Sequence, residues 1–147
     1  MGKNGVSKEF EECLQKGKLR DFPAGKRLSE KELKSADGDL IEAKESYKNK
    51  KFKWATIQGY YSMFHTARAL VYSQGVRERS HYCLIVALKE FFVSKKLLSP
   101  KIAEMLQHGK TLREGADYYS QWSEEGAKQL IENADTFLNK AKQMLEK

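Results

Sequence analysis

Gln58, Tyr61, His65, Arg68 and Tyr72 follow one another at steps of three and four residues, which stacks them in one narrow stripe along a helix. A solvated stripe is ordinarily lysine and glutamate. This one offers an amide, phenols, an imidazole and a guanidinium. Such groups bind phosphates, stack on bases or hold a polar network together. Two further groups could carry chemistry. His81 stands near a helix start beside Arg77 and Arg79, a setting that attracts phosphate and depresses the pKa of the imidazole. Arg113, Asp117 and Tyr118 form the third group, and Arg113 and Asp117 are spaced to pair on one helix face.

Each group also has a plain structural reading. A lone histidine such as His65 commonly serves as a hydrogen-bonded structural group rather than a general acid or base. Arg68 lies close to the apolar seam and needs a carboxylate or a bound anion. Asp117 is the internal candidate, so a structural Arg68–Asp117 network and an anion site both stay open. No metal-ligand spacing, glycine-rich phosphate loop or nucleophile motif occurs, and neither a metal nor a cofactor is expected.

The elements that must position these groups are helical. Trp54 to Gly75 reads as one long helix, with Ile57, Tyr60, Met63, Phe64, Ala67, Leu70 and Val71 on a broad face at about 100° per residue. Such a face is covered on two sides, so this is the expected central helix of a bundle. Gly59 within it suggests a close approach by a neighbour, since glycine there costs ~1 kcal/mol relative to alanine.

Around it, Val6 to Gly17 reads as a first short helix. Lys18 to Leu28, with Pro23 and Gly25, reads as a basic and mobile connector. Ser29 with Glu32 forms a capping-box pattern, placing the second helix from Ser29 to about Asn49, with a weak point at Asp37-Gly38-Asp39. Ser80 caps a fourth helix ending near Lys95 and Lys96. Ser99 and Pro100 open a fifth, which runs to about Tyr118, and Ser123 caps the last. Strand signals are almost absent. The expected architecture is all-α, an antiparallel bundle of five or six helices, with residues 1–28 as an N-terminal arm and 29–147 as the bundle.

The chain has 147 residues, enough for one domain with a core of its own. Its formal charge of +7 favours an anionic partner. From Trp54 to Leu98 there are six basic and two acidic residues, so the positive field centres on the middle of the chain. Lys48, Lys50, Lys51 and Lys53 form a basic corner, read first as a solvated turn. Cys13 and Cys83 are expected to be reduced thiols in a cytoplasmic protein. No apolar run reaches membrane-spanning length, the N-terminal stretch lacks the apolar core of a signal peptide, and Gly2 sits in a poor lipidation context.

The run Tyr60-Tyr61-Ser62-Met63-Phe64-His65-Thr66-Ala67-Arg68-Ala69-Leu70 resembles the YYxMFHAARALL signature of HEPN domains. Ser80-His81 after a glycine turn resembles the SH that follows it, and Arg113 to Tyr118 resembles the RxxADY of the same branch. Ala134 and Phe137 are similar to its helical ending. The resemblance covers about Ser29 to Leu145. It implies an up-and-down four-helix core that often forms a homodimer. It also implies a partnership with a minimal nucleotidyltransferase, in some cases as a toxin–antitoxin pair.

Some members bind nucleotides. Others are metal-independent endoribonucleases using R-x(4–6)-H across a dimer cleft. Arg113 takes the arginine position, and the histidine position falls near Tyr118 or Tyr119. Tyrosine titrates near 10 and gives no neutral-pH proton carrier. The leading expectation is therefore a non-catalytic protein that binds a nucleotide or RNA phosphate through Arg68, His81 and Arg113, with Tyr61, His65 and Tyr118 lining the cleft. The alternatives are an endoribonuclease with His81 as a displaced histidine beside Arg113, and a dimerising interaction module.

Overall fold

The computed structural model describes residues 6–146. The reading of Gly2 lies outside them. Ser7 opens helix α1 (Lys8–Gln15) by accepting a hydrogen bond from the Phe10 amide. Strand β1 (Leu19–Asp21), helix α2 (Gly25–Lys48), helix α3 (Phe52–Tyr72) and strand β2 (Val76–Glu78) follow. Then come α4 (His81–Leu88), a π-helical turn (Lys89–Val93), α5 (Lys101–Tyr118) and α6 (Glu124–Leu145). The all-α expectation holds, with one small strand pair added to a bundle of helices.

α3 is the centre, packed against α2, α4, α5 and α6. Ile57, Tyr60, Met63, Ala67, Leu70 and Val71 of the expected face are buried, whereas Phe64 is half-buried. From α6, Leu130, Ile131, Ala134, Phe137, Leu138 and Ala141 close the core. The approach expected at Gly59 is present: a Cβ there would lie 3.4 Å from the Leu130 side chain. Ser80 and Ser123 cap α4 and α6 by accepting from the Cys83 and Gly126 amides. Asp37-Gly38-Asp39 does not break α2.

The contact between α2 and α3 is drawn tight by small residues. Ser29 on α2 donates to the Ala69 carbonyl on α3 at 2.7 Å, and Ser62 on α3 donates back to the Ala36 carbonyl at 2.9 Å. Both serines are buried with their hydrogen bonds satisfied. At the seam's end, a Cβ on Gly25 would fall 2.5 Å from the Tyr72 carbonyl oxygen, so only glycine fits.

Four local expectations are corrected. Ser29 does not cap α2, which begins at Gly25; its hydroxyl is spent on α3, and Glu32 faces His65. The connector is not a loose loop, because β1 pairs antiparallel with β2 in the register Leu19 to Glu78, Arg20 to Arg77 and Asp21 to Val76. The fourth helix does not continue as a regular α-helix to Lys96. Ser94 donates to the Lys89 carbonyl five residues back, which forms the π-helical turn. Cys13 and Cys83 are not free thiols but a disulfide, because α1 packs on α4 and brings their Cα atoms to 5.9 Å. Among the described residues no helix is long and apolar enough to cross a membrane.

Candidate functional site

A cleft of about 570 Å³ opens where the strand pair meets the starts of α4 and the second half of α3. It is lined by Arg20, Phe64, Arg68, Arg77, Glu78, Arg79, Ser80 and His81. Three local features build it. The glycine turn at Gly75, with φ +75°, returns the chain from α3 into β2. The β1–β2 ladder then sets Arg20 directly opposite Arg77. Finally, Ser80 stops the strand and starts α4, whose positive dipole end faces the same opening.

The arginines are not equivalent. Arg68 is bound internally: its Nε donates to Glu78 Oε2 at 2.9 Å, and its guanidinium lies over Phe64 and Tyr72 at 4.8 and 5.7 Å. Burial works against its charge, but Glu78, Tyr72 and Glu32 together outweigh that and raise its pKa. Glu78 is buried, and its second oxygen, Oε1, has no hydrogen-bond partner among the described residues. Arg20, Arg77 and Arg79 are exposed and form no ion pair with a carboxylate among the described residues. The cleft therefore presents unneutralised guanidinium groups around one buried carboxylate already held by Arg68.

His81 lines the cleft as a neutral group. Burial, and then the nearby Lys110 ammonium, lower its pKa to about 4. The expected cause, the adjacent arginines, is thus replaced by burial and a lysine from α5. Its Nδ1 lies 3.0 Å from the Tyr60 hydroxyl. Burial raises the Tyr60 pKa to about 12, so that hydroxyl stays protonated and shares one hydrogen bond with Nδ1. The other ring nitrogen, Nε2, is a buried atom without a partner among the described residues.

The remaining expected site residues fall into two other groups. Arg113 donates from Nη2 to the Tyr61 hydroxyl at 2.8 Å and lies over the Tyr60, Tyr61 and Tyr118 rings at 5.8, 5.4 and 5.6 Å. Asp117 pairs with Arg113 at 3.7 Å, as the spacing predicts, and so does not serve Arg68; the expected Arg68–Asp117 network is replaced by Arg68–Glu78. His65 is clamped between Glu32, 2.9 Å from Nδ1, and Asp39, 3.7 Å from Nε2. Tyr60 touches both Arg113 and His81, but no hydrogen bond joins those two among the described residues.

Of the expected set, the cleft thus brings together Arg68 and His81. Arg113, Tyr61 and Tyr118 form an adjacent aromatic cage, and His65 belongs to the α2–α3 contact. Arg20 and Glu78 are the cleft residues that the sequence reading did not single out. The strand ladder is what recruits them, and nothing local in the sequence signals it.

The description HEPN domain matches residues 29–146 of the chain. A Methanocaldococcus jannaschii protein described as a "putative toxin" is 27% identical over 115 residues, covering 78% of this chain and 86% of its own. A second protein of that organism with the same description is 26% identical over 122 residues, covering 82% and 83%. A UPF0332 protein of Pyrococcus horikoshii is 30% identical over 82 residues, covering 56% and 58%.

Proposed function

The chain belongs to the HEPN domain family, and on that basis we propose that it is a toxin-like protein whose arginine cleft binds the phosphate of a nucleotide or RNA. The observation that carries this reading is the facing pair Arg20 and Arg77, with Arg79 beside them, without carboxylate partners among the described residues in an open cleft. Like charges directly opposite on paired strands are unfavourable. A bound phosphate turns that repulsion into charge-assisted hydrogen bonds, for which guanidinium geometry is suited. Two relatives bearing a toxin description support the toxin-like role. A minimal nucleotidyltransferase is the partner we assign to it, and a homodimer its working state.

Binding rather than cleavage is the reading the geometry favours. His81 is neutral, its Nδ1 is occupied by Tyr60, and its Nε2 is buried. It therefore offers no accessible group for moving a proton. The test is a titration at low salt with labelled RNA and with uridine and adenosine nucleotides. Binding is expected in the wild type and is expected to weaken at least tenfold in Arg77→Ala and Arg79→Ala, with loss as salt rises. No binding at low salt sinks the proposal. RNA cleavage in chelator that disappears in His81→Ala and Arg113→Ala would replace it with the nuclease reading.

A further inference from the structure

At the opposite end of α3 the surface carries a second unusual group. Trp54 and Trp122 are 50% and 48% exposed, from the start of α3 and the segment before α6. The Lys53 ammonium lies 5.0 Å from one ring and 5.8 Å from the other, so one cation holds two half-exposed indoles together. Lys48, Lys50 and Lys51 complete the corner, and none of these lysines forms an ion pair among the described residues. Lys50 turns the chain there with φ +61°, a left-handed conformation unusual for lysine. Lys48, Lys50 and Lys51 are exposed, as expected of a solvated turn, whereas Lys53 sits between exposed aromatic faces.

Trp54, Tyr61 and Arg68 are seven residues apart in turn, so they share one face of α3 at successive two-turn steps. From Trp54 to Arg68 the distance along the axis is about 21 Å. Tyr61, held by Arg113 beside the exposed Tyr118, is the middle rung, and the arginine cleft is the far end. Asp117 offsets Arg113 at this middle rung, so the rung supplies the exposed Tyr118 ring rather than net charge. Glu124, at the start of α6, accepts from the Tyr47 hydroxyl at 3.5 Å. Lysines beside exposed indoles, leading through a tyrosine to free arginines, match alternating bases and phosphates. An acidic peptide would use the lysines and leave the rings without partners.

We propose that Trp54, Lys53 and Trp122 form a base-stacking subsite for single-stranded RNA, on the same track as the arginine cleft. This rests on the phosphate-binding reading of that cleft and specifies its ligand as a polynucleotide, since a mononucleotide cannot span both ends.

The experiment is fluorescence anisotropy with labelled decauridylate and, in parallel, uridine diphosphate competition, using wild type, Trp54→Ala, Trp122→Ala, Trp54→Phe and Arg77→Ala. Loss of one stacked base predicts that each tryptophan-to-alanine change weakens the decamer roughly tenfold or more. Diphosphate affinity is expected to stay unchanged, and Trp54→Phe is expected to restore most of the decamer binding. Decamer affinity that drops in Arg77→Ala but not in the tryptophan variants overturns the subsite and leaves the cleft. A drop in the tryptophan variants alone overturns the cleft and leaves the subsite. Binding of anionic vesicles that needs the tryptophans, without RNA binding, overturns both in favour of a membrane surface.

Discussion

Arg20 and Arg77 face each other across the two-stranded ladder, each a single residue in a strand of three. Part of the cleft's charge thereby comes from a segment outside the HEPN match, since Arg20 precedes residue 29 whereas Arg77 and Arg79 lie within it. Neither charge is paired with a carboxylate among the described residues. Arg20 Nε donates to the Gly17 carbonyl at 3.2 Å, and the Arg77 guanidinium lies 5.0 Å from the Phe22 ring. Those contacts fix the side chains and leave the cleft positive.

Stability and binding are therefore expected to move in opposite directions on substitution here. Arg77→Gln removes a like-charge contact worth about 0.2–1 kcal/mol, so its Tm at low salt is expected to rise slightly while phosphate affinity falls. High salt or inorganic phosphate is expected to erase the difference in Tm. Thermal melts of both proteins at two ionic strengths check this, and a Tm that falls at low salt rules out repulsion as the dominant effect.

Glu78 and Arg68 form the opposite kind of pair, 2.9 Å apart with the carboxylate buried. Removing one partner strands the other's charge. Glu78→Ala is expected to cost about 3 kcal/mol in urea unfolding, nearer the low end for buried pairs because Arg68 keeps some solvent access. The double variant Arg68→Met with Glu78→Leu is expected to recover most of that loss. If the double variant is as unstable as the sum of the singles, the two residues do not act as a pair.

His81 gives a pH signature. Folding lowers its pKa from 6.5 to about 4 through burial and Lys110. The unfolded chain therefore takes up a proton below 6.5 that the folded chain refuses until about 4. This contribution is complete above pH 6.5 and is lost as pH falls through that window. In His81→Gln the corresponding slope is expected to vanish. Urea midpoints of the two proteins measured across this range should converge as pH falls, and parallel curves would mean that His81 titrates normally in the fold.

How much of this was legible depended on whether the cause was local. The central helix, the caps Ser80 and Ser123, and the Arg113–Asp117 pair are each set by residues within one or two turns, so spacing alone revealed them. Ser29 misled because a serine followed by Glu32 has the spacing of a capping box, while its hydroxyl is satisfied by Ala69 forty residues away. The three-residue strands carry no alternation to detect, so Arg20 could not be placed opposite Arg77. The Cys13–Cys83 bond joins residues 70 apart and depends on α1 docking against α4. Glu78 was likewise hidden as the partner of Arg68, because a turn and not a helix face brings them together.

The reciprocal serine bonds between α2 and α3 bear on the order of assembly. These helices are joined by a three-residue corner and bonded in both directions, so they form a hairpin that zips from its corner, with serine bonds spanning 26 and 40 residues. The arm with Leu19 and Arg20 docks on β2 and α4 across a longer chain separation, 70 residues for the disulfide. The expected folding nucleus is the hairpin: Ser62→Ala is expected to slow refolding, whereas Leu19→Ala mainly speeds unfolding. On this expected order the arm, although N-terminal, docks after the hairpin, and the bundle forms before the cleft gains its full charge.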